Sequence, residues 1–231
     1  MEPSGSGTPA LVACAHGTRD PAGRRAVDAL REDVAATRSE VGVVEAYVDV
    51  QEPALPDVLR GLDSAVVVPL LLSAGFHVHV DIARAVEAAG PDIRTAGPLG
   101  PDPVLVDVLV HRLGDAGLDD DHAVLLAAAG SSDPRAVADV ERTAMDLAAR
   151  LDRPVTAAYA SAAQPRVESA VAELLAAGRR VAVASYLLAP GHFQSRLRAT
   201  GADVIAAPLL PHPAITALVL WRYDEAMTPP G

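Results

Sequence analysis

Short unbroken apolar runs alternate along this chain with longer stretches in which apolar residues recur at helical spacing. Continuous apolar runs suit parallel strands buried on both faces. They predict strands at Leu11–Ala15, Val43–Val50, Ala65–Leu72 and Ile93–Ala96, then at Val124–Ala129, Val155–Ala162, Val181–Leu187 and Asp203–Ala206. A stripe of Val27, Leu30, Val34 and Val41 follows Asp20-Pro21, an N-cap and first-turn pair. Asp133-Pro134 repeats that start before the stripe Val137, Val140, Ala144, Leu147 and Leu151. Further helices are predicted from Glu52-Pro53 to Leu62, over roughly Val80–Ala89, Val104–Leu113, Pro165–Ala177, His192–Ala199 and Pro213–Ala226. Strand and helix alternate four times and then the series repeats, which implies α/β architecture with parallel sheets and right-handed crossovers.

The repeat is visible residue by residue. Asp20-Pro21 matches Asp133-Pro134 at an offset of 113, and Tyr47 matches Tyr159 at 112. Glu52-Pro53 matches Gln164-Pro165 at 112, Val66–Ile82 matches Val181–Leu197 at 115, and Pro98-Leu99 matches Pro208-Leu209 at 110. So little drift argues for tandem duplication of one small α/β unit. The polar stretch Gly114–His122 reads as the linker. The expected organisation is a flexible tail at 1–9, a first domain at 10–116 and a second at 117–231, facing each other across a cleft.

Composition narrows the partners. The formal net charge is −11, and all 19 basic residues are arginine. Nucleic acid and anionic membrane are poor partners for such a surface. Ala65–Phe76 is too short to span a bilayer as a helix, and the first residues lack the pattern of a signal peptide. The single cysteine, Cys14, forms no internal disulfide. These features predict a cytoplasmic, monomeric protein with a small-molecule substrate.

Candidate chemistry lies where ligands bind in open parallel sheets, beyond the C-terminal strand ends. The first three strands of the first half lead to His16, to Glu52, and to His77 and His79. If the first strand lies between the second and third, these loops are neighbours. The second half offers Ala129, Gln164, His192 and Gln194 at the matching places. One active centre, with the second half as the other wall of the cleft, explains that asymmetry. Imidazole and carboxylate together suit divalent Fe, Co, Ni or Zn, and imidazole also exchanges protons near neutrality. Each residue also has a plainer reading. A lone strand-end histidine is usually a hydrogen-bonded loop residue. Glu52 before proline suits helix capping. His79 lies two residues from His77 and points away from it if the segment is extended. His111, His122 and His212 read as solvated, and Trp221 and Tyr223 as core or interface. HGTR shares HG with the RHG signature of histidine phosphatases, but Ala15 stands where the arginine belongs. There is no GxGxxG or P-loop pattern, hence no expected nucleotide.

A strand followed by HGTRDP, then EP after strand two, then PLLLSAGFHVHVDI after strand three, resembles the sirohydrochlorin chelatases. That resemblance implies two tandem chelatase-like, flavodoxin-like domains, each a four-stranded parallel sheet flanked by helices. It implies ATP-independent insertion of Fe²⁺ or Co²⁺ (Ni²⁺ is chemically acceptable) into sirohydrochlorin, for siroheme or cobalamin biosynthesis. No permanently bound cofactor is implied; the metal is a substrate. The metal-handling and catalytic roles fall on His16, Glu52 and His77. Arg19, His79, Arg84, Arg166, His192 and Arg196 are candidates for binding the carboxylated tetrapyrrole. The competing reading is a non-catalytic tetrapyrrole- or metal-binding carrier of the same fold.

Overall fold

The computed structural model describes residues 8–73 and 75–228; the side chains of residues 76–79 lie outside that description, as do residues 1–7 of the expected tail. The first series runs β1 (Ala10–Ala15), α1 (Pro21–Thr37), β2 (Val43–Tyr47), α2 (Leu55–Leu59), β3 (Ala65–Pro69), α3 (Phe76–Ala89), β4 (Ile93–Thr95) and α4 (Pro103–Asp115). The second runs β5 (His122–Ala128), α5 (Pro134–Leu151), β6 (Val155–Tyr159), α6 (Val167–Ala176), β7 (Arg180–Tyr186), α7 (His192–Arg198), β8 (Val204–Ile205) and α8 (Pro213–Met227). The strands form two parallel sheets, ordered β2-β1-β3-β4 and β6-β5-β7-β8. β1 therefore lies between β2 and β3, and the loops carrying His16 and Glu52 are neighbours.

The central strands β1, β3, β5 and β7 bury both faces against different partners. Leu11, Ala13 and Ala15 of β1 point into a core shared with Leu126, Ala128, Ala184 and Tyr186 of the second sheet. Val12 and Cys14 face the opposite way, into a core closed by Leu55 and Leu59 of α2 and Ile82 of α3. Leu125 and Val183 do the same under Val167 and Val171 of α6 and Leu197 of α7. The layers run helix, sheet, helix, sheet, helix, with α1, α4, α5 and α8 in the middle.

Within that middle layer the last helix of each half has crossed over. α4 packs on β7 and α5, and α8 packs on β3 and α1. Polar contacts lock the exchange. Arg222 of α8 donates to the carbonyls of Pro98 and Leu99 and pairs with Asp102 at 2.9 Å. Arg38 of α1 forms a two-pronged pair with Asp224 of α8, which holds that carboxyl below the usual range. Arg150 of α5 pairs with Asp107 of α4. The last helix of each sequence half thus packs on the sheet of the other half.

The middle helices share one way of starting. Asp20, Asp102 and Asp133 each accept a first-turn backbone N–H, and a proline follows. α8 uses His212, whose Nδ1 accepts the Ala214 N–H at 3.2 Å. Burial, then the charges of Arg112 and His111, hold the His212 pKa below its ordinary 6.5, against an opposing pull from Asp115. Only the neutral ring can accept that bond. The associated stability is present above the ordinary histidine pKa and is lost as pH falls through the lowered folded value. His212→Asn keeps a cap that does not titrate. Between pH 7 and 5.5 the wild-type melting midpoint should therefore drop about 2–4 °C further than the variant's, the equivalent of a cap worth about 1 kcal/mol. Parallel pH profiles would count against this assignment.

The structure corrects several sequence expectations. α3 begins at Phe76, so His77 and His79 sit in its first turn and not in an extended loop. α1 ends at Thr37, so the buried Val41 lies beyond it. His122 is not solvated: it is buried on β5 with Nδ1 2.6 Å from Asp119. Tyr223 is buried, whereas Trp221 is half exposed beside the Arg222 guanidinium.

Candidate active site at the seam of the two sheets

His16 leaves the end of β1 on a loop that is clasped to its neighbours. Val48 N–H donates to the Ala15 carbonyl at 3.0 Å, and Asp49 N–H donates to the His16 carbonyl at 3.1 Å. Gln51 Oε1 accepts the Thr18 N–H at 2.7 Å. On the other side, Leu70 N–H donates to the Cys14 carbonyl at 2.8 Å. Gly17 makes the clasp possible: its φ is +97°, and a Cβ there would overlap the Asp49 carbonyl oxygen. These contacts fix His16 relative to the loop bearing Glu52.

The second half repeats the clasp without the ionisable groups. Ala160 and Ser161 N–H donate to the Ala128 and Ala129 carbonyls at 2.9 and 2.8 Å. Gly130 has φ +92°, and its Cβ would collide with the Ser161 carbonyl. Gln164 Oε1 accepts the Arg166 N–H at 3.1 Å, as Glu52 Oε2 accepts the Ala54 N–H at 2.8 Å. Peptide bonds 52–53 and 164–165 are both cis. The scaffold is common to both copies, whereas the ionisable side chains His16 and Glu52 stand only in the first.

Two cavities flank His16 at the seam. One, of about 320 Å³, is lined by His16, Leu70–Ser73 and Gly75 from the first half and by Ala128–Ser131, Tyr159 and Tyr186 from the second. The other, of about 280 Å³, is lined by His16, Thr18, Arg24 and Gln51 and by the segment Leu187–Gln194, which includes His192. Among the described residues no carboxylate lines either. The second half also reaches across: the Tyr186 hydroxyl donates to the Leu72 carbonyl at 2.8 Å, on the segment leading to α3. Burial raises the Tyr186 pKa, so the phenol stays a donor. Tyr186 occupies the place that Leu70 holds in the first copy, and both face the core shared by the two sheets.

The sequence candidates distribute unevenly over this geometry. His16 is exposed and touches both cavities, and His192 lines the smaller one. Glu52 is exposed on the adjoining loop and lines neither. His77 and His79 stand at the start of α3, and their side chains lie outside the described residues. Among the described residues no cluster of three or more His, Cys, Asp and Glu could hold a metal; the expected set needs His77. Arg19 is exposed and lines neither cavity. Arg84 lies in a groove between α2 and α3, Arg166 holds the Ala160 carbonyl, and Arg196 pairs with Glu168. Gln194 is buried and donates to the Ala206 carbonyl at 3.1 Å. Arg24, Gln51 and Tyr186 are cleft residues that the motif reading missed; comparing the two copies would have flagged Tyr186. Burial pushes the Cys14 thiol up to about 12, which removes it as a nucleophile or ligand. Among the described residues no helix is long and apolar enough to cross a membrane.

The arrangement can bring an imidazole to the edge of a partly apolar slot between two rigid sheets. Comparison with known proteins identifies that architecture. A sirohydrochlorin ferrochelatase of Priestia megaterium is 28 % identical over 148 residues, 60 % of this chain and 56 % of the relative, so the match spans little more than half the relative's length. A sirohydrochlorin cobaltochelatase of Methanosarcina barkeri is 26 % identical over 123 residues, 46 % of this chain but 95 % of the relative, which makes that protein about one repeat long. The structure of SirB from Bacillus subtilis with Fe³⁺ superposes with a TM-score of 0.77 at 25 % identity, covering 94 % of this chain and 95 % of that one. The family model CbiX matches twice, over residues 10–116 and again over 123–226, and the chain therefore belongs to the CbiX family.

Proposed function

We propose that this protein inserts a divalent metal into sirohydrochlorin, with Fe²⁺ favoured and Co²⁺ accepted, in siroheme or cobalamin biosynthesis. The observation that carries this reading is His16, placed between two cavities that both halves line, in a chain whose relatives are named for this reaction. Iron is favoured because the relative matching the larger share of this chain is named a ferrochelatase, and cobalt is accepted because SirB also matches in complex with cobalt. The protein acts as a cytoplasmic monomer, and metal and macrocycle are both substrates.

The reaction replaces two pyrrole N–H protons by one M²⁺, so two protons must leave as the metal enters. In this reading the macrocycle lies between the halves with one face toward His16. Glu52 and His77 position the metal, while His16 shares in binding and accepts one pyrrole proton, the second leaving to solvent at the open edge of the slot. Open metal positions suit an ion that is passed on and not stored. The apolar walls, Leu70–Leu72 and Tyr186 among them, would accept the ring face and exclude water from it.

The test is to mix sirohydrochlorin with Fe²⁺ or Co²⁺ in the absence of oxygen and follow the absorption change. Added protein should accelerate insertion manyfold over the free solution. Tight binding of the macrocycle without acceleration would favour the carrier reading.

A further inference from the structure

The smaller cavity has a polarity that the proposed chemistry at His16 does not require. Its lining contains Arg24, His16 and His192 and, among the described residues, no acidic side chain, in a chain of net charge −11. Arg24 is held at its base: Nε donates to the Thr18 carbonyl at 2.9 Å. That bond leaves the two terminal guanidinium nitrogens as a free edge, the edge that pairs with a carboxylate in parallel. Arg31, Arg38, Arg196 and Arg222 meet carboxylates, whereas Arg24 has no carboxylate partner among the described residues. Its position is fixed by the preceding residue. Gly23 is buried where α1 meets the segment after β7, and a Cβ there would stand 2.6 Å from the Pro190 carbonyl oxygen. Arg24 is thereby pinned at the seam, beside the start of α7, where His192 stands.

At about 280 Å³, with a lining that includes Arg24, Thr18 and Gln51, the cavity is adequate for a carboxylate-bearing arm of the macrocycle. We propose that Arg24 recognises one peripheral carboxylate of the tetrapyrrole, and so fixes which edge of the ring is turned toward His16. This rests on the function proposed above. Arg24 is a specificity-determining residue in this scheme and takes no part in moving protons or metal.

The test is equilibrium binding of metal-free sirohydrochlorin, followed by absorption or fluorescence with no metal present, so that turnover does not enter. The probes are the free acid and its fully methyl-esterified form. Arg24→Gln should weaken binding of the free acid about tenfold, the effect of losing one charge-assisted pair, and should leave binding of the ester unchanged. Arg24→Lys keeps the charge but not the Nε bond to Thr18, and should recover part of the loss; failure to do so would assign the effect to the loop. Arg25→Gln, on the same helix but outside the cavity, should bind within about twofold of wild type. Equal binding of the free acid by wild type and Arg24→Gln, or equal weakening of acid and ester, overturns the inference while the chelatase reading stands. If wild type neither binds nor metallates sirohydrochlorin, the chelatase reading fails and the inference fails with it.

Discussion

His16→Ala should slow metal insertion by about a hundredfold or more, the usual consequence of removing a positioned proton acceptor, and should leave the melting midpoint within about 2 °C of wild type. The molecule contains its own control for the second half of that statement. Ala129 already occupies the matching position in the second copy, and its carbonyl accepts the Ser161 N–H at 2.8 Å as the His16 carbonyl accepts the Asp49 N–H at 3.1 Å. The strand end therefore folds with alanine. The His16 side chain is exposed and contributes nothing to a core. Glu52→Gln is the companion change. Gln164 shows that an amide accepts the same turn N–H, so this variant removes charge without removing the turn. The anaerobic absorption assay reads the rate, and a melting curve reads the fold. His16→Ala protein that inserts metal at the wild-type rate would remove His16 from the reaction even if the activity itself were confirmed.

That control also shows what could be read from the chain alone. The alternation of strand and helix and the duplication follow from apolar runs, cap-and-proline starts and matched offsets, while the place of the first strand between the second and third rests only on the usual order for such a sheet. The exchange of α4 and α8 does not. A helical stripe such as Leu105, Leu109 and Leu113 says which face is apolar, not which of two similar sheets will cover it. The start of α3 was missed for a local reason. Gly75 marks the break after the strand-like run but offers no side-chain cap, so nothing in the sequence shows that the helix starts directly after it. Arginines illustrate the same limit. Arg84, Arg166 and Arg196 lie in or next to the anticipated loops but turn to a groove, a carbonyl and Glu168. Arg24, inside a helix and unremarkable by spacing, reaches the cleft because Gly23 lets the second half approach. Proximity in sequence to a strand end says that a residue is near the site. Only packing says which way it faces.

Gly17→Ala and Gly130→Ala should destabilise the protein alike and affect catalysis differently. Both glycines have φ near +90°, where a Cβ is strained, and both would drive that Cβ into a carbonyl oxygen of the neighbouring loop. Strain and overlap together should cost about 2–5 kcal/mol at either site. For a chain of this length that is a fall of roughly 5–15 °C in the melting midpoint. The collisions fall on different loops. At Gly17 the displaced carbonyl belongs to Asp49, whose N–H is bonded to His16 and whose loop leads through Gln51 to Glu52. The spacing between the two groups assigned to the reaction must change, so kcat should drop in protein that is still folded. At Gly130 the displaced carbonyl belongs to Ser161, in the copy that presents Ala129 and Gln164, and the residue lines only the larger cavity. There the reacting groups keep their spacing while a wall of the slot moves, so KM should rise with kcat nearly unchanged. Kinetics run well below both melting midpoints separate the cases. Equal losses of kcat in the two variants would mean that the second copy takes part in the chemical step, and that it is more than the opposite wall of the cleft.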